Sequence, residues 1–234
     1  MTKQFSRVVQ GIGVVTVLSL GALAADSKLG AQPITLPASG YAIPQVYVQM
    51  GGGSQVPLGQ ESPQQEPVDW KMSPMHQVGA RGKSGEVKGV ATFFGGPNMQ
   101  PSFPILLLPN ANSGKTTLTL TQIKERQSVS IPVTVVAAPA GNAARGQVLF
   151  KANCVACHGA TAQGGIGPNI TYTDKGMGGW EIYQFNRAVR IGVDDQGGTL
   201  NQTMPRFQIS GMGSKEPPTA QQISDIFTYL KTLK

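Results

Sequence analysis

Cys154-Val155-Ala156-Cys157-His158 decides how the C-terminal part of this sequence is read, and the rest falls into place around it. Two thiols three residues apart at the end of a helical run face one side, and the imidazole of the next residue follows them directly. The chain has only 2 cysteines and 2 histidines. That count excludes a multi-disulfide scaffold, a four-cysteine zinc site and any site needing three imidazoles. A zinc ion would have to recruit His76, the other histidine. A dithiol redox motif expects a βαβ setting, whereas this one ends a helical run and precedes the glycine-rich Gly164-Gly165-Ile166-Gly167. What fits is attachment of one covalently bound haem c: each thiol can add to one vinyl group of the same porphyrin, and His158 can then face the iron.

The surroundings read as helices. Residues 143–152 run into the cysteines. Residues 179–191 carry Ile182, Phe185 and Val189 at helical spacing, with Gly192 suited to the C-terminal cap. Thr219 and Gln222 form a capping box, and Ile223, Ile226, Phe227, Leu230 and Leu233 make one apolar stripe behind the extended Pro217-Pro218.

Residues 145–233 resemble a class I cytochrome c domain, in particular the haem domains in cytochrome subunits of periplasmic dehydrogenases. The likeness is carried by Gly146-x-x-Leu149-Phe150-x-x-x-Cys154-x-x-Cys157-His158, then Gly167-Pro168-Asn169-Ile170-Thr171 and Gly179-Trp180. Phe185, Arg187-Ala188-Val189-Arg190-x-Gly192-Val193-Asp194, Met204-Pro205 and the last helix follow in order. One haem motif is present, where those subunits often carry several. The resemblance implies Met204, followed by Pro205, as the second axial ligand opposite His158, with Met177 and Met212 as rival thioethers. Thioether ligation raises the potential relative to two imidazoles, and a bis-histidine iron would need His76. The resemblance further implies that the Pro168 carbonyl accepts the Nδ1 proton of His158. Trp180 and Tyr183 would line the haem edge or a propionate, and Arg187 or Arg190 would neutralise a propionate. The expected cofactor contacts are therefore Cys154, Cys157, Pro168, Trp180 and Arg190, with His158 and Met204 on the metal.

Upstream the texture differs. Lys3 and Arg7 precede an apolar run that ends at Ala22-Leu23-Ala24, a small-x-small pattern, so residues 1–25 are expected to be a signal peptide or an uncut membrane anchor. Residues 26–67 read as an extended lead-in, with Gly51-Gly52-Gly53-Ser54 and a Gln/Pro/Glu-rich stretch. Residues 68–138 alternate with period two, as at Val129, Ile131, Val133 and Val135, which predicts short antiparallel strands, with Pro132 on an edge strand. Residues 139–234 form the haem domain. The expected fold is α+β overall: a small all-β, sandwich-like N-terminal region followed by an all-α class I cytochrome c domain. With 30 glycines, 17 prolines and only 13% charged residues, the composition suits turns and short strands.

Function follows from the motif. Met72, Met75 and His76 invite a copper site, but blue and binuclear copper centres need the cysteines that the haem takes. The net charge of +7 is scattered along the chain, which argues against nucleic acid. The reading is a periplasmic or membrane-tethered monohaem cytochrome that passes single electrons between redox partner proteins and is not itself an enzyme. The alternative is an electron-accepting cytochrome subunit of a multi-subunit dehydrogenase or oxidase complex. Location would be the periplasm, or the outer face of the cytoplasmic membrane if the N-terminal segment stays.

Overall fold

The computed structural model describes residues 28–49, 55–58, 70–73, 75–77, 89–95, 106–122 and 126–233. The export segment expected at residues 1–25 and the linker-like residues 50–54 and 59–69 lie outside that set. Among the described residues no helix is long and apolar enough to cross a membrane.

Among the described residues, strands come first and helices afterwards. The strands are β1 (Lys28–Ala31), β2 (Ile34–Pro37), β3 (Val46–Gln49), β4 (Gln55–Leu58), β5 (Trp70–Ser73), β6 (Met75–Gln77), β7 (Ala91–Gly95), β8 (Leu106–Pro109), β9 (Gly114–Gln122) and β10 (Ser128–Val136). The helices are α1 (Ala143–Asn153), α2 (Val155–His158), α3 (Ile182–Ile191), α4 (Phe207–Ser210) and α5 (Ala220–Leu230). The strands form three sheets, ordered β1-β3-β4, β2-β10-β9-β5 and β6-β7-β8.

Residues 26–67 are thus not a plain lead-in, because β1 to β4 lie within them. Strand β2 pairs in parallel with β10, Ile34 opposite Val133 and Leu36 opposite Val135. Its partner lies far downstream, and a local pattern carries no trace of such pairing. The sheets are also not purely antiparallel: β2 with β10 and β6 with β7 run parallel. A period-two pattern tells which side chains are buried and is silent on the direction of the neighbour.

Strand β10 shows the alternation clearly, with Val129, Ile131, Val133 and Val135 buried between more exposed residues. It is not an edge strand, since β2 and β9 flank it. Pro132 is tolerated because the β2 ladder begins only at Val133, so the proline has no β2 partner to satisfy. Leu36, Val46, Phe93, Leu107, Leu118 and Ile131 come from all three sheets into one apolar core. Each such side chain contributes about 1.5–3 kcal/mol on leaving water.

The helical half has its own core, where α1 crosses α5. Gly146 permits the crossing, because a Cβ there would overlap the Asp225 carbonyl and come within 2.8 Å of Tyr229 Cβ. Just beyond, Phe150 and Tyr229 meet with ring centroids 5.5 Å apart. The other end is tied by Asp225. Its carboxylate accepts from the Asn142 N–H at 2.7 Å, from Arg145 Nε at 2.7 Å and Nη2 at 3.0 Å, and from the Gln221 amide at 2.9 Å. A carboxylate at the N-terminus of α1 also meets the positive end of the helix dipole.

Burial opposes ionisation of Asp225, but the Arg145 guanidinium and the two other donors outweigh it, so the carboxyl titrates below its ordinary value. A depressed carboxyl stabilises the fold fully above its unfolded pKa of about 3.9 and loses that contribution as pH falls through the folded value. Thermal unfolding followed downward from about pH 6 is therefore expected to show a midpoint that drops below about pH 4. Asp225→Asn should lower the neutral-pH stability by about 2 kcal/mol and flatten the acid limb of that curve.

The two halves meet along a polar seam. The turn after β2 places Ser39 and Gly40, and α3 reaches them: Asn186 Nδ2 donates to Gly40 O at 2.7 Å and Arg190 Nη2 to Ser39 O at 3.2 Å. Ser224 of α5 bonds the Ser39 hydroxyl at 3.1 Å. From the end of β8, Asn110 Oδ1 accepts from Arg187 Nη1 at 2.8 Å. Phe94, Leu106 and Leu108 pack with Ile191 and Val193 beside these bonds.

Candidate haem-attachment site

Helix α1 delivers the motif and stops at it. Cys154 closes α1, its N–H bonded to Phe150 O at 2.8 Å, and also starts the single turn of α2. Within that turn the N–H groups of Cys157 and His158 both reach Cys154 O, at 3.2 and 2.9 Å. The following loop folds back beneath the turn: Gly164 N bonds His158 O at 2.9 Å and Gly167 N bonds Cys157 O at 2.7 Å. That return brings the Pro168 carbonyl to 2.8 Å from His158 Nδ1. A carbonyl only accepts, so Nδ1 holds the proton and the lone pair stays on Nε2, the nitrogen a metal would take. His158 is 8% exposed.

Neither cysteine is in a disulfide, and both are half-buried. Burial, followed by the neighbouring Cys157, pushes the Cys154 thiol up to about 12. A dithiol redox centre needs the opposite, a thiol whose pKa is lowered. Among the described residues no group of three His, Cys, Asp or Glu side chains converges as a metal cluster would require. The donor set that remains is two adjacent thiols and one oriented imidazole. Half-buried Leu149, Val155, Ile170, Tyr172 and Trp180 pack with Cys154 on the edge of the helical core. These residues fit a covalently held porphyrin with one protein nitrogen on its iron.

Of the three methionines in this half, Met177 and Met212 are 4% and 3% exposed and belong to the apolar core with Phe150 and Phe227. Met204 is half-buried and stands outside that core, in the turn that Asn201 organises by accepting from Thr203 N at 3.0 Å. Trp180 packs half-buried against the core, with its carbonyl taking the Tyr172 hydroxyl at 3.0 Å.

Arg190, placed at a propionate by the sequence reading, is fully buried in the seam instead. Its Nε donates to Asn186 Oδ1 at 2.7 Å, Nη1 to Gln208 Oε1 at 2.9 Å and Nη2 to Ser39 O, while its guanidinium lies 4.6 Å from the Tyr41 ring. Burial holds its pKa down to about 10. The reason for the difference is the β region, which supplies acceptors that a resemblance confined to residues 145–233 does not contain. Arg187 is drawn into the same seam, donating to Asn110 and to the carbonyls of Asp194 and Asp195. Sequence reasoning passed over Ser39, Asn186 and Arg206. The one local signal was the run of polar residues 186, 187 and 190 on a helix whose other face is apolar.

Comparison with known proteins agrees with this geometry. Residues 143–234 match the cytochrome c family. A cytochrome c-553-like protein of Synechocystis sp. is 34% identical over 101 residues, covering 43% of this chain and 78% of that protein. No solved structure matches. The site, the family match and the relative together mean that this chain belongs to the cytochrome c family and carries covalently attached haem c for electron transfer.

Proposed function

We propose that this protein is an exported monohaem class I cytochrome that shuttles single electrons between partner proteins, with His158 and Met204 as its axial ligands. The observation that carries the reading is the division of labour among sulfur and nitrogen donors. His158 spends Nδ1 on Pro168 and keeps Nε2 free, while Met204 is the one methionine of the helical half left out of the apolar core. When bound, haem supplies exchange of one electron at its iron. The chain's part would be to hold that group covalently through Cys154 and Cys157, to fix the imidazole tautomer of His158, and to offer the Met204 thioether as a second ligand. With His158 and Met204 both holding the iron, no position on it would be left for a substrate, which favours electron transfer over catalysis. Export is supported by the apolar run in residues 1–25 flanked by Lys3, Arg7 and a small-x-small site.

The test is a visible spectrum of the purified holoprotein with each methionine replaced in turn. Met204→Ala is expected to abolish the weak far-red band of methionine-ligated ferric haem, to lower the potential, and to admit carbon monoxide quickly to the ferrous protein. Met177→Ala and Met212→Ala should keep the band and lose about 2–5 kcal/mol of stability as cavity-forming core substitutions. A band that persists in Met204→Ala would overturn the ligation.

A further inference from the structure

The loop that carries Met204 has little apolar packing of its own. Asn201, Gln202, Thr203 and Pro205 are exposed, and Leu200 and Met204 are half-buried. Yet a ligand to a metal must stay within bonding distance of it, and ordering a loose loop to do so costs conformational entropy.

One side chain gathers the loop. Arg206 Nη1 donates to Met204 O at 2.9 Å and to Asn201 O at 3.4 Å, and Nη2 donates to Leu200 O at 2.7 Å. A single planar guanidinium thus closes residues 200–206 onto itself, a task that five fixed N–H donors suit and a flexible ammonium does not. The guanidinium in turn has a prepared seat. It lies against Gly192, the left-handed C-cap of α3 with φ 69°, so closely that a Cβ at that position would overlap its Cζ. Gly192 O also takes the Leu200 N–H at 2.8 Å, and Val193 forms a bridge with Thr199, so the start of the loop is tied to the same helix end. A cation at a helix C-terminus is further favoured by the dipole. The far side of Arg206 begins α4, its carbonyl accepting from Ile209 N at 2.8 Å and Ser210 N at 2.9 Å.

We infer that Arg206 is the positioning residue of the axial-ligand loop: by bridging the carbonyls of Leu200, Asn201 and Met204 against Gly192, it holds Met204 on the iron. This rests on the reading of Met204 as ligand. Arg206 acts through the backbone on either side of the methionine.

The experiment is imidazole titration of the ferric holoprotein, read by the far-red band, because imidazole binds only as fast and as tightly as the loop lets go. Arg206→Gln removes the fork while keeping one amide donor, and is expected to bind imidazole at least tenfold more tightly than wild type and to lose the band at a lower temperature. Arg206→Lys should recover part of the difference. Arg145→Ala serves as the comparison: it breaks the pair with Asp225, lowers the unfolding temperature, and should leave imidazole affinity within about twofold of wild type, well under the 1.4 kcal/mol of a tenfold change. The proposal is overturned if Arg206→Gln stays within twofold of wild type, or if Arg145→Ala shifts affinity as much. Met204→Ala separates the two ideas. A lost band there with a wild-type Arg206→Gln leaves ligation standing and removes the clamp, whereas a retained band in Met204→Ala removes both.

Discussion

Protein in which Cys154 and Cys157 are both changed to serine is expected to release every haem on denaturation, where the wild type keeps one. The physical ground lies in the turn from Phe150 to His158. Cys154 is held as the junction of α1 and α2 and packs, like Leu149, Val155 and Ile170, on the edge of the helical core, with Cys157 one helical turn on. Burial pushes the Cys154 thiol up to about 12, the opposite of what a redox dithiol needs. Serine preserves size and the backbone bonds to Phe150 and Cys154, and removes only the capacity for thioether bonds. Single variants should retain haem by one link. The measurement is the pyridine spectrum of denatured protein after extraction with acidified solvent, with intact mass as a second reading. Pigment that stays with the doubly substituted chain would mean that the cysteines do not carry it.

The second large effect is expected at Gly146. Gly146→Val should abolish the native helical half, because the added atoms fall on backbone of α5 at Asp225 and on Tyr229 Cβ. Neither can rotate away. Separating α1 from α5 would also part Phe150 from Tyr229 and pull Asn142 and Arg145 off the Asp225 carboxylate. Overpacking a well-filled site costs about 1–3 kcal/mol when neighbours can shift, and more where backbone blocks the way. Lost helical circular dichroism and no holoprotein are the expected readout. Gly146→Ala should show a smaller loss of the same kind, and a wild-type melting curve for it would contradict the crossing described here.

The helices of the C-terminal half were legible because their signals are local. The Thr219–Gln222 capping box is present in both directions, Gly192 is the left-handed cap, and Ile223, Ile226 and Leu230 are buried. The helix expected from residue 179 begins at Ile182, where the Glu181 N–H bonds the Gln184 side chain at 2.7 Å. The strands were legible only in part. Alternation marked β9 and β10, while β1 to β4 hid in a turn-rich stretch, since a four-residue strand leaves almost no period to read. Arg190 shows the same limit at the level of one side chain. Its charge and spacing are visible in the sequence, but its partners Ser39 and Tyr41 lie some 150 residues away, and only folding brings them near.

By itself the sequence determined the chemistry: two thiols and an imidazole in five consecutive residues, with too few other donors for a competing metal centre. Covalent spacing is a property of the chain and does not depend on how the chain packs. Only the tertiary structure decided what surrounds that chemistry. It sets which methionines are used up as core, which arginines close the seam, and which one ties the loop around Met204. Such choices depend on contacts between residues far apart in the chain, where geometry and desolvation settle what composition leaves open.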